Sequence, residues 1–166
     1  MAATNTNKDE RKKAVIDALN QARSSELHAI HQYMNQHYTL DDMDYPKLAS
    51  KMREIAIDEM RHAEEFAERI KDLDGEPTAE FSEIVVKRQD VRVIYRFDAN
   101  LEDATIEAYN KFWELCRENG DMVSAGLFET IINEEQEHFN YFDDTDTHIK
   151  ELGESFLARQ TEGEAD

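Results

Sequence analysis

The sequence is poor in everything that interrupts or cross-links a helix. Its 166 residues contain two prolines, five glycines and one cysteine. So few breakers argue against a loop-rich chain and favour long helices. A lone Cys116 can form no internal disulfide and lacks the CxxC partner of a zinc or rubredoxin-like site, which points to a reducing cytoplasm. No apolar run reaches the roughly 18 residues of a membrane span. Met1 to Lys13 is polar and charged, without the apolar core of a secretory signal. Basic residues are scarce as well: 19 stand against 38 acidic ones, for a formal net charge of -19. That balance excludes nucleic acid and anionic membrane as partners, and it concentrates cations near the surface instead. The length predicts one domain over residues 1–166 with a substantial core.

What the chain does contain is a repeated pair of metal-ligand residues. Glu59-Met60-Arg61-His62 is a Glu-x-x-His sequence, and Glu135-Gln136-Glu137-His138 repeats it. On a helix, residues three apart sit about 60° apart on one face, so each pair can offer a carboxylate and an imidazole to one ion. Two more acids extend the pattern. Glu26 lies 33 residues before Glu59, Glu102 lies 33 before Glu135, and the half-sets are displaced by 76 residues throughout. If each interval is a helical hairpin, its ends share a height only when the turn falls midway. The midpoints are Asp42/Met43, within a turn-like run that ends in Pro46, and Glu118/Asn119, next to Gly120.

Apolar residues at three- and four-residue intervals predict helices over about 8–37, 45–73, 91–118 and 121–152. The acids fall on the same stripes: Glu26 with Leu19, Ala22, Ile30 and Tyr33, and Glu59 with Met52, Ile55, His62 and Phe66. Asp74-Gly75-Glu76-Pro77 stops the second helix, and the run to Asp90 has no clear helical period. Phe81, Ile84, Val85 and Val86 predict that it packs along the bundle as a crossover. A short amphipathic piece over 154–160 predicts a fifth helix after Gly153, and the tail from Thr161 is expected to fray. Two antiparallel hairpins joined by one long crossover between helices 2 and 3 make an all-α, ferritin-like four-helix bundle with a short C-terminal fifth helix.

Four buried glutamates would be costly if charged and unpaired, since each loses several kcal/mol of hydration. Two divalent cations balance four carboxylates, with His62 and His138 as neutral ligands. A carboxylate-rich set with one imidazole per metal suits iron or manganese, whereas structural zinc prefers thiolates. Glu59 and Glu135 are the natural bridges, with Glu26 terminal on the metal of His62 and Glu102 on that of His138. A Glu from each of two helices and a Glu-x-x-His from each of the others is the known pattern of ferritin-like di-metal proteins.

Met60 points off this face, about 100° round from Glu59. Its thioether suits packing at a subunit interface or ligation of a haem iron, and geometry alone favours the interface. His28 and His31 read as surface or interface positions, and Tyr33 as core with a hydroxyl able to reach a ligand carboxylate or to give up an electron. Asp98, four before Glu102, is placed to orient the far nitrogen of His138.

At these residues the chain resembles the bacterioferritins over nearly its whole length. Glu26-Leu27-His28-Ala29-Ile30-His31-Gln32-Tyr33 is similar to that family's first-helix motif, Ile57-Asp58-Glu59-Met60-Arg61-His62-Ala63-Glu64 to its second, and Asn133-Glu134-Glu135-Gln136-Glu137-His138 to its fourth. The resemblance implies a ferroxidase centre with two Fe per subunit at Glu26, Glu59, His62, Glu102, Glu135 and His138. It implies a hollow homo-oligomeric shell of 24 subunits, built of two-fold dimers, that stores ferric mineral. It makes Met60 an axial ligand to a haem or related iron porphyrin, one per subunit pair, and places the fifth helix at the four-fold openings. Some members carry a further iron site on the inner surface that uses a histidine. This chain has Glu54 there, beside Asp58, and Tyr141 where a tryptophan often stands. The expected reaction oxidises Fe(II) with dioxygen or peroxide, with an electron-donor protein as a further partner. The alternative on the same bundle is a rubrerythrin-like di-iron peroxidase, although the four-cysteine iron domain of that group is absent.

Overall fold

Few breakers leave long helices, and each helix ends at a residue that explains its end. A computed structural model describes residues 2–162, with side chains from residue 7 onward. Its elements are α1 (Ala2–Asp42), α2 (Pro46–Asp72), α3 (Val91–Glu118), α4 (Met122–Leu152) and α5 (Glu154–Gln160). Among the described residues there is no strand. The expected 8–37 helix is longer at both ends. The polar start continues the helix because none of its residues forbids one, and Thr39-Leu40-Asp41-Asp42 adds a turn before Asp44 goes left-handed at φ 61°. The expected domain over 1–166 includes Met1 and residues 163–166, which lie outside the described residues.

Caps mark the other boundaries. Pro46 occupies the first turn of α2, where its missing N–H costs nothing. Asp90 Oδ1 accepts from Arg92 N at 2.9 Å to start α3. Asp121 Oδ1 accepts from Ser124 N at 2.9 Å to start α4. The Arg69 guanidinium reaches both Asp121 carboxylate oxygens at 3.0 Å, tying the end of α2 to the start of α4. Gly75 is required by space: a Cβ there would stand 2.9 Å from methyl groups of Ile16 and Ile70.

The crossover from Leu73 to Asp90 runs alongside α1 in the same direction. Asn20 bonds the backbone of Glu76 and Thr78 at 3.0 and 2.8 Å, and Ser24 Oγ donates to Glu80 O at 2.8 Å. Further along, the Gln32 amide exchanges two bonds with the Val86 backbone at 2.8 and 2.9 Å. Gln36 then donates to Gln89 at 2.9 Å and to Asp98 at 2.8 Å. The chain therefore returns to the far end of α1, and α3 starts there.

The core is two apolar clusters with a polar layer between them. One holds Tyr33, Met52, Ile55, Ile94, Tyr95 and Phe142, and the other holds Leu19, Phe66, Ile70, Tyr109, Phe128 and Ile131. On every long helix the chain passes from one cluster to the other across an acid: Glu26 on α1, Glu59 on α2, Glu102 on α3 and Glu135 on α4. Each fully buried aliphatic or aromatic side chain contributes about 1.5–3 kcal/mol. That apolar mass holds the layer together. Phe128 is wholly buried against Phe66 and Tyr109, at ring-centroid distances of 5.2 and 5.5 Å. Phe128→Ala should cost about 3–5 kcal/mol, read as a lower denaturation midpoint with the helical circular-dichroism signal intact in buffer.

Candidate di-metal centre

Because the turns of both hairpins fall midway between their acids, the four glutamates meet at one height. All six predicted ligands are buried, none more than 6% exposed. Their donor atoms form two groups, Glu26–Glu59–His62–Glu135 and Glu59–Glu102–Glu135–His138, each with its atoms within 4.8 Å of one another. Glu59 and Glu135 belong to both groups. Nδ1 of His62 lies 2.9 Å from Glu59 Oε2 and 3.0 Å from Glu135 Oε1. Nδ1 of His138 lies 2.9 Å from Glu59 Oε1 and 3.4 Å from Glu135 Oε2. The contacts to the two Oε1 atoms are close enough for charge attraction but poorly aligned for hydrogen bonds, so both oxygens are buried without a hydrogen-bond partner. Two orphaned carboxylate oxygens between two imidazoles fit a pair of cations.

The supports around the six repeat with the same 76-residue displacement. Tyr33 on α1 donates its hydroxyl proton to Glu102 on α3, and Tyr109 on α3 donates to Glu26 on α1. The outward Nε2 of His62 stands 2.9 Å from Glu134, and that of His138 stands 3.4 Å from Asp58. Each histidine is thus oriented by an acid of the other Glu-x-x-His helix. Arg61 joins these two acids, reaching Asp58 at 2.6 Å and Glu134 at 3.5 Å.

Two expectations change. Asp98 does not orient His138; Asp58 does, because α3 holds Asp98 a helical turn away from Glu102 toward α1, where it accepts from Gln36. His28 is not a surface residue. It is 2% exposed, and the crossover packed along α1 covers it. Of the inner-surface pair, Asp58 serves His138 while the exposed Glu54 pairs with Lys51 at 3.1 Å. Tyr109 and Glu134 were passed over, yet each sits 76 residues after a residue already singled out, Tyr33 and Asp58. Met60 is 54% exposed on the outer side of α2, near the exposed Ile57, and His31 stacks on Phe81 of the crossover with centroids 4.5 Å apart.

A cavity of about 150 Å³ reaches Glu26, Glu59, Glu102 and Glu135 from the side of α1, α3 and the crossover. His28, Ser82, Glu83 and Thr105 line the rest of it.

The charge of the layer depends on what fills it. Burial, together with the charges of Glu135 and Glu59, raises Glu26 and Glu102 well above the ordinary carboxyl range. Burial works against ionising Glu135, but the adjoining imidazoles of His138 and His62 pull its pKa below the usual value. Burial also disfavours the imidazolium forms, yet the close carboxylates of Glu135 and Glu59 outweigh it and push His62 up to about 12 and His138 to about 10. Protons thus stand in for cations.

The family model described as the ferritin-like domain matches residues 16–152, a span that contains all six residues. The curated bacterioferritin of Desulfovibrio desulfuricans is 61% identical over 153 residues, covering 92% of this chain and 86% of that one. The chain belongs to the bacterioferritin family. The bacterioferritin of Streptomyces coelicolor is 36% identical over 141 residues, covering 85% of this chain and 84% of its own. An X-ray structure of the D. desulfuricans bacterioferritin, which concerns the diiron site in different catalytic states, aligns with a TM-score of 0.91 at 57% identity. It covers 96% of both chains. The five helices described above are the bacterioferritin fold.

A metal ion needs deprotonated ligands, so it must displace the protons on Glu26, Glu102, His62 and His138. With His62 pushed up to about 12 and His138 to about 10, loading two divalent ions per subunit near pH 7 should release about two protons from the imidazoles, and more where Glu26 and Glu102 are also protonated. Titration calorimetry in buffers of different ionisation enthalpy counts them. Since protons compete for the same atoms, affinity should rise with pH from the acid side through the values of about 10 and about 12 held by His138 and His62.

Proposed function

We propose that this bacterioferritin stores iron by oxidising Fe(II) at a ferroxidase centre made of Glu26, Glu59, His62, Glu102, Glu135 and His138. The observation that carries the reading is the convergence of their donor atoms into two four-residue groups that share Glu59 and Glu135. Fe(II) is the substrate. Two ions held side by side give up one electron each, so the pair matches a two-electron oxidant, dioxygen or peroxide. The residues fix separation, charge and proton traffic: Glu59 and Glu135 span both ions, while Glu26 and Glu102 complete one ion each. Tyr33 and Tyr109 hold those terminal carboxylates through short hydrogen bonds, and burial pushes both phenols well above their ordinary value, keeping them as donors.

The same reading includes a 24-subunit shell of two-fold dimers and a haem-type group between the subunits of a dimer. Support for the haem site comes from this chain's Met60, a half-exposed thioether on α2 that would hold the porphyrin iron together with the same residue of a partner copy. An electron-donor protein and a cytoplasmic setting complete the reading. The single buried Cys116 suits a reducing compartment, and among the described residues no helix is long and apolar enough to cross a membrane.

Aerobic Fe(II) oxidation followed by absorbance tests the centre. Glu59→Ala and Glu135→Ala, which remove a ligand from both ions, should each lower the initial rate at least about a hundredfold. Unchanged rates would sink the assignment. For the porphyrin, size-exclusion with light scattering should give a particle of 24 chains with a Soret band, and Met60→Leu should lose the band.

A further inference from the structure

The cavity that ends at the four glutamates begins among groups the six-residue centre does not use. His28 is 2% exposed, and its Nε2 is buried with no hydrogen-bond partner. Buried ring nitrogens are nearly always paired, so an unpaired one on a cavity wall points to something that binds there. Glu83 lines the same cavity from the crossover and is exposed, so this end meets solvent while Glu26 and Glu102 form the closed end. The hydroxyl residues Ser25, Ser82 and Thr105 also line it, and the lining contains no lysine or arginine to repel a cation. The crossover is pinned at this point by Ser24 Oγ donating to Glu80 O at 2.8 Å and Ser82 N donating to Ser24 O at 3.1 Å. Glu83 is therefore carried on an anchored segment.

We propose that His28 and Glu83 form a third metal position in each subunit, a staging site that holds a divalent cation at the cavity mouth before it reaches the ferroxidase centre. An imidazole nitrogen with carboxylate and hydroxyl oxygens is a donor set for divalent first-row ions such as Fe(II). With fewer protein carboxylates than either half of the centre, it binds more weakly and releases inward. Glu26 lines the cavity and also belongs to the centre, two residues before His28 on α1, so it is the next ligand along the path. This inference rests on the di-metal reading of the six residues, and the test separates the two.

Crystals of the whole assembly soaked in Zn(II) should show three anomalous peaks per subunit, one within bonding distance of His28 Nε2 and two at the centre. The first should vanish in His28→Ala and weaken in Glu83→Gln, an exposed substitution that leaves the core untouched. In stopped-flow oxidation, both variants should raise the half-saturating Fe(II) concentration roughly three- to tenfold, about 0.7–1.4 kcal/mol, with the effect falling there rather than on the saturating rate. Two peaks at the centre alone, with an unshifted Fe(II) dependence in His28→Ala, would overturn the staging site and leave the centre standing. No peak at the centre would overturn the di-metal assignment and the staging site with it.

Discussion

Everything in this bundle is arranged around the cost of holding four carboxyl groups in one buried layer. Glu26, Glu59, Glu102 and Glu135 are each 2% exposed or less. Ionised and uncompensated, they would repel one another in a low-dielectric interior at a cost no surface pairing could offset. The fold meets that cost in two ways. Apolar clusters on both sides of the layer keep the helices in place whatever the layer contains. Within it, protonated histidines, carboxyls held above their ordinary range and tyrosine donors carry the balance that cations would otherwise supply. A site built this way is preformed, and its strain is electrostatic rather than steric.

The internal repeat reaches further than the ligands. A displacement of 76 residues relates Glu26 to Glu102, Tyr33 to Tyr109, Asp58 to Glu134, Glu59 to Glu135 and His62 to His138. Both halves use the same parts, but they use them across the bundle. Tyr33 serves Glu102, Tyr109 serves Glu26, Asp58 serves His138 and Glu134 serves His62. Neither hairpin could complete the arrangement around its own metal, and this crossing ties the two hairpins together at the same height as the chemistry.

Much of this was legible in the sequence, because helical periodicity and spacing are local properties. The Glu-x-x-His pairs, the 33-residue intervals and the breakers at their midpoints placed the layer, and the stripes placed the core. The resemblance to the bacterioferritins pointed the same way, and the family match agrees with it. What escaped depends on how separate helices face one another. His28 was read as an interface residue because its burial comes from a crossover without periodicity, whose path is set by Asn20, Ser24 and Gln32. Asp98 was paired with the wrong neighbour because a four-residue offset from Glu102 gives height but not which helix lies opposite. Helix ends slipped where nothing stops them: α1 runs on to Asp42 until a left-handed aspartate turns the chain.

The sharing of Glu59 and Glu135 between both groups carries a consequence for how the layer fills. An ion in either half would take an oxygen from each shared carboxylate, and the remaining oxygen of each would be left for the other half. The two halves of the layer are therefore joined through Glu59 and Glu135, and a change in one half would reach the other through the same two side chains.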